Sequence, residues 1–326
     1  MFRGVVCATG VFRFSIKSTQ HISRSGLHFF YGRIMKERLK KTGLESIPKD
    51  WFWDGMTIAI GEPAPMALVR QIIAANLKNI TVIASGYALD ILIASGCVKK
   101  TISYLAAGGV GVPVAPSFRK AAESGEIEVW ECEEGILTAG LEAAGKGLPF
   151  MPCRGGVGTS LPEVNEDLKI FQDPFKGETL LAVPAIRPDL TLIHAAVSDV
   201  YGNVQHCQGP GWLDLFLCRA ADRTIVQVES IISNEQVRAN PWATTLADVD
   251  AVMCFKWGAH PLYSRGEYIQ DSTFINEYFA IGTEAYKTGD KEALEKFLST
   301  YYRNPRSHAD YLEVIGLERL LGLREY

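Results

Sequence analysis

The sequence is poor in the features that would make it easy to classify. It has no C-x-x-C pair: its seven cysteines stand apart, an odd number with spacings that fit neither a disulfide framework nor a zinc site. Most of them sit among apolar residues, where a free cysteine behaves as a small hydrophobe, and this points to a reducing compartment. No apolar run approaches the roughly 18 residues of a membrane span. There is no excess of positive charge (the net charge is -4), so nothing in the overall electrostatics favours nucleic acid. The sequence also has no G-x-x-x-x-G-K-[ST] phosphate loop, no G-x-S-x-G elbow and no G-x-G-x-x-G after its first strand, which removes the simplest nucleotide and acyl-serine readings.

Acid is missing from one region only. The first 36 residues carry Arg3, Arg13, Lys17, Arg24, Arg33 and Lys36 and no Asp or Glu. Residues 1–45 therefore read as a basic extension, either transit-like or lying upstream of a true start at Met35. Residues 46–326 are expected to form a single domain. A cytoplasmic location is expected, or the mitochondrial matrix if the extension is a transit peptide.

Beyond residue 55 a regular rhythm sets in. "MTIAI" (56–60), "ITVIAS" (80–85), "TISYLA" (101–106) and "IEVWEC" (127–132) are β-branched or apolar runs. They are separated by segments with helical spacing that end at Gly96 and Gly125. Units of roughly 20–25 residues are what parallel βαβ crossovers produce. Further strands are expected at 179–185, 190–197, 202–207, 224–230 and 249–255. Their close spacing from 179 to 207 suggests some antiparallel pairing, with a helix at 213–221 and helices from Ser272 onward. The expected fold is α/β, an open and mostly parallel sheet with helices on both faces and a helical C-terminal region.

In such sheets ligands bind beyond the carboxyl ends of the strands. The post-strand loops that follow from this are Gly61-Glu62-Pro63, Ser85-Gly86, residues 107–111, Glu131 to Gly135, and Arg154 to Thr159. Gly-Gly-Val-Gly occurs twice, at 108–111 and 155–158. Glycine there lets backbone approach a ligand and offers N–H groups, although a tight turn would need the same residues. Gly61, Glu62, Gly108, Gly109, Arg154, Gly155, Gly156 and Gly158 are the candidate ligand-binding positions. Glu131, Glu133 and Glu134 crowd the junction of a strand and a helix. A carboxylate at a helix N-terminus is stabilising, but one aimed into a pocket can serve as nucleophile or base. His194, His206 and Asp199 match no compact metal motif, and no metal is expected. His260 follows a predicted strand, where a pocket wall and a turn are equally open.

Several segments together carry a resemblance. "DGMTIAIG", "ALVRQII", "GLPFMPCRGGVGT", "FQDPF", "ETLLAVPAIRPDLTLIHAAVSDVYGNV", "AADRTIVQVESIISNEQVR" and "GAHP" occur in order over about residues 54–320. They resemble the A (alpha) subunit of class I CoA-transferases, in the branch of glutaconate CoA-transferase and the related steroid-ring-opening CoA hydrolases. The resemblance implies an open α/β fold, a B-type subunit of similar fold, a hetero-oligomer, and coenzyme A as substrate rather than a resident cofactor. In the transferases the nucleophilic glutamate lies on the B-type subunit. In the ring-opening hydrolases the acting glutamate lies instead on the A-type chain, and "EEGIL" places that role on Glu134. Glu131 and Glu133 then revert to structural readings, and Arg154 is a candidate partner for a substrate carboxylate. One departure stands out: "IGEPAP" is shorter than the corresponding glycine loop of the family, which puts the carry-over of contacts at Gly61 to Pro65 in doubt.

Overall fold

The computed structural model describes residues 49–108, 111–247 and 249–324; the expected basic extension and Gly109 lie outside the described residues. The strands are β1 (Thr57–Ile60), β2 (Ile80–Ile83), β3 (Val98–Ser103), β4 (Glu128–Glu131), β5 (Phe150–Cys153), β6 (Lys169–Gln172), β7 (Thr179–Pro184), β8 (Leu190–Ser198), β9 (Val204–Gln205), β10 (Arg223–Ile231), β11 (Thr244–Leu246) and β12 (Ala251–Cys254). The first helices are α1 (Met66–Ala74), α2 (Gly86–Ala94), α3 (Pro116–Glu123) and α4 (Glu134–Gly145). They are followed by α5 (Leu161–Val164), α6 (Asp214–Ala220) and α7 (Asn234–Ala239), and then by α8 (Ser272–Thr288), α9 (Glu292–Leu298), α10 (His308–Ile315) and α11 (Leu317–Leu321).

The main sheet runs β4-β3-β2-β1-β8-β10-β12, all parallel. The chain starts in the middle at β1, builds outward to β4, then returns to the other side of β1 with β8, where Ile58 pairs both Val82 and Leu190. Winding therefore reverses between β1 and β8. Alternation along each strand serves both faces. Ile58, Ile60, Leu190, Leu192, Ile225 and Met253 face a core shared with α1, α2, α8 and α9. Ala59, Ile193, Ala195, Val226 and Val228 face the core beneath α4 and α6.

Antiparallel pairing appears in two places within 150–246. β5, β7 and β6 form a separate sheet, with Leu181 opposite both Cys153 and Ile170. Its apolar side, Leu181 and Val183, joins the core under α4. β5 and β6 escape sequence reading because their outward side chains break the alternation and Pro152 interrupts β5. Proline is tolerated there because β5 is an edge strand. The expected strand at 202–207 shortens to β9, since Asp199 Oδ1 accepts from Tyr201 N (2.9 Å) and Asn203 N (3.0 Å) and turns the chain.

The C-terminal helices are bound to the helices covering the sheet through a buried acid. Asp90, fully buried on α2, accepts from Phe118 N of α3 (2.7 Å) and from the Tyr278 hydroxyl of α8 (2.6 Å). Burial pushes its carboxyl above the usual range, against these donors. Tyr87 of α2 adds a hydroxyl contact of 2.6 Å to Tyr302. Among the described residues no helix is long and apolar enough to cross a membrane. Tyr278→Phe leaves Asp90 short of one donor in a dry site, and is expected to cost about 1–3 kcal/mol of stability in urea unfolding. An unchanged midpoint would show that Asp90 finds another donor.

Candidate active site

A cavity of about 200 Å³ opens at the carboxyl ends of β1, β2 and β3, beside the strand from which the winding reverses. Glu62 follows β1 and projects a half-buried carboxylate into it. Two hydroxyls donate to the same oxygen, Oε1: that of Ser85, directly after β2, and that of Tyr104 after β3, the latter at 3.1 Å. Burial, and then the Glu62 charge, push the Tyr104 phenol up to about 12, so it stays protonated and donates. Tyr104 in turn stands edge-on to Trp212, with ring centroids 5.4 Å apart. Leu105, Leu262 and Tyr263 complete the walls, and Leu137 and Leu213 close the floor.

The Glu62 loop is clamped from below. Asp214, fully buried at the start of α6, accepts from Gly211 N (2.9 Å) and Glu62 N (3.3 Å). A side chain on Gly61 would overlap Asp214 and Ile193, and one on Gly211 would overlap the Glu62 carbonyl, so both glycines are required by close approach. His206 lies behind, its Nε2 3.5 Å from Asp214 Oδ2 and its Nδ1 2.6 Å from Thr245 Oγ1.

The other strand ends are filled by the protein itself. Glu229, at the end of β10, accepts from Trp257 N (2.7 Å), Gly258 N (3.0 Å) and the Tyr268 hydroxyl (2.7 Å). His194 on β8 is held between Gln227 Nε2 and Ser264 Oγ, each at 2.9 Å, and burial, then His206, lower its pKa to about 3. It is a neutral structural imidazole. His260 is fully buried between Tyr311 (2.7 Å) and Asp271 (3.1 Å), so it lines no part of this crevice.

The second group of predicted residues forms a different assembly. Glu133 caps α4, its carboxylate accepting from Gly135 N (2.8 Å) and Ile136 N (2.6 Å). Gly155 presses against that carboxylate so closely that a side chain would overlap it, while Gly156 and Gly158 both adopt a φ of +78°. The glycine loop thus fits over the helix cap. Arg154 is exposed and paired with Glu178 across the small sheet. Gly108 makes a close turn, with no room for a side chain beside Val112. Glu134 is exposed in the first turn of α4, and Glu131 is exposed at the end of β4. Of the candidate residues, the structure gathers Gly61 and Glu62 at the crevice. Glu134, Arg154, Gly155, Gly156 and Gly158 do not line it. Ser85, Tyr104 and Asp214 belong to the site without being candidates in the sequence. Ser85 stands in one of the post-strand loops, but Tyr104 falls inside a predicted strand and Asp214 inside a predicted helix.

A doubly wound sheet with a crevice at the carboxyl ends of its strands is the framework of an α/β protein that acts on small ligands. This chain belongs to the coenzyme A transferase family, whose model matches residues 49–253. It is 34% identical over 266 residues to the cholesterol ring-cleaving hydrolase IpdA subunit of Rhodococcus jostii, covering 76% of this chain and 86% of that one. It is 31% identical to the A-type subunit of glutaconate CoA-transferase from Acidaminococcus fermentans, over 83% of this chain and 90% of that one. The crystal structure of that transferase superposes with a TM-score of 0.79 at 29% identity, covering 88% of this chain and 96% of that chain. An Archaeoglobus fulgidus protein of unassigned function is 32% identical over 88% of this chain, which spans 66% of its length.

Burial, opposed by Tyr268, the two backbone donors and Lys256, raises Glu229 to about 7. The folded protein therefore holds a proton that the unfolded chain loses near 4.5. The stabilisation from this group is complete below that value and is lost as pH rises through about 7. From pH 5 to 7.5 the urea stability of the wild type should fall relative to Glu229→Gln, by at most about 3 kcal/mol. Parallel pH profiles would show that Glu229 is ionised throughout.

Proposed function

We propose that the chain is the A-type half of a heteromeric CoA-transferase, moving CoA between a thioester and a carboxylic acid together with a B-type subunit. The observation that carries this is the Glu62 crevice: a short-acyl-sized cavity at the carboxyl edge of the sheet of a family member, open on one side. It offers one carboxylate and two hydroxyls, a wall that a second subunit can complete. As the family resemblance implies, the nucleophilic glutamate comes from the B-type subunit. Its carboxylate attacks the thioester carbonyl, an acyl-glutamyl anhydride forms, and CoA leaves as the thiolate. The thiolate then attacks the glutamyl carbonyl, giving enzyme-bound CoA and releasing the first acid, and the acceptor acid reverses the sequence. Negative charge develops on a carbonyl oxygen in each step, and preorganised donors stabilise it.

Coenzyme A is a substrate on this reading, no cofactor stays bound, and the A-type domain spans residues 46–326 in a cytoplasmic enzyme. A second reading has its own support: the 34% identity to a chain named as part of a ring-cleaving hydrolase, and an exposed Glu134 with no bonded side-chain partner among the described residues. There Glu134 would act on the substrate directly.

The two readings separate in one assay. With the B-type partner co-expressed and co-purified, CoA movement from an acyl-CoA should require an acceptor acid, and Glu134→Ala should keep most of the rate. Release of free CoA without acceptor, with a loss of at least roughly a hundredfold in Glu134→Ala, a loss typical of removing a general acid or base, would establish the hydrolase instead.

A further inference from the structure

We infer that the Glu62 crevice selects the acyl group, accepting a CoA thioester whose short acyl chain carries a hydroxyl in preference to one that ends in a second carboxylate. This rests on the chain being the A-type half of the enzyme described above. A cavity of about 200 Å³ suits a short acyl chain.

Charge comes next. The residues lining the cavity include no Lys, Arg or His. Arg265 stands over the Tyr263 ring at 5.9 Å, but its guanidinium is turned to the Gln208 and Gly209 carbonyls. The Ser85 and Tyr104 hydroxyls already donate to Glu62. A second carboxylate entering this site would find no Lys, Arg or His among these lining residues and would face the carboxylate of Glu62. Desolvating a like-charged pair is costly.

The hydrogen-bond pattern supplies the preference. Ser85 and Tyr104 both donate to Oε1, while Oε2 has no bonded partner among the described residues. The two donors fix the carboxylate plane, and the free oxygen is an acceptor in a pocket otherwise lined by aromatic and aliphatic groups. A site built to accept a hydrogen bond from a substrate hydroxyl discriminates against the analogue lacking it far better than a hydrophobic wall discriminates by shape. Glu62 reaches this position directly after Gly61, at the end of β1.

The test uses the complex co-purified with its B-type partner, and 3-hydroxybutyryl-CoA, 4-hydroxybutyryl-CoA, butyryl-CoA and glutaryl-CoA. Dissociation constants come from calorimetry and kcat/KM from transfer to acetate. At least one hydroxyacyl thioester should bind roughly tenfold more tightly than glutaryl-CoA, with butyryl-CoA between them. Glu62→Gln keeps an oxygen for Ser85 and Tyr104 but loses the charge, so it should tighten glutaryl-CoA and weaken the hydroxyacyl thioester, moving the ratio toward one. Equal or tighter binding of glutaryl-CoA by the wild type, an unmoved ratio in Glu62→Gln, or no binding of any thioester would overturn the inference. Binding that follows the expected order without any transfer would uphold the crevice selectivity and overturn the transferase reading.

Discussion

The site depends on one buried carboxylate that never reaches the ligand. Asp214 accepts the backbone N–H groups of Glu62 and Gly211 and so joins the end of β1 to the start of α6. It sits where the winding reverses, between the outward run β1 to β4 and the return through β8. Without Asp214, the N–H groups of Glu62 and Gly211 would lose their acceptor beside the crevice. A buried charge is tolerable only when hydrogen-bonded, and Asp214 has backbone donors on both oxygens with His206 behind. The cost of burying it is therefore offset by fixing the loop that presents Glu62.

The remaining strand ends show the same principle with the opposite outcome. Glu229 and His194 also point out of the carboxyl edge, but Trp257, Gly258, Tyr268, Gln227 and Ser264 use up their hydrogen-bonding capacity. They close that side of the sheet and hold the segment leading into the C-terminal helices. At β1–β3, by contrast, a carboxylate oxygen of Glu62 remains for a ligand. A family fold thus carries one open and one sealed end on the same sheet edge.

Much of this is legible in the chain. The βαβ rhythm from residue 56, the helical C-terminal region and the family all follow from periodicity and ordered segments, because parallel strands buried on both faces read as continuous apolar runs. Gly61 and Glu62 are candidates from the start because they follow the first strand. Of the small sheet only the central strand β7 is visible; the edge strands β5 and β6 are not, since their exposed side chains blur the pattern and Pro152 interrupts β5. Tyr104 is not visible either, because a tyrosine ending a strand looks like packing until its hydroxyl partner is known.

By itself the sequence determined that β1 to β4 alternate with helices and that an acid crowd precedes α4. These are local matters of periodicity and helix capping. Which acid faces the crevice was decided by tertiary structure alone. Glu133 is spent on the α4 cap under Gly155, Glu134 lies in solvent, and Glu62 meets Ser85 and Tyr104 only because β1, β2 and β3 lie side by side. The physical reason is distance along the chain: hydrogen bonds between residues 23 and 42 positions apart are set by strand order, which no local pattern encodes.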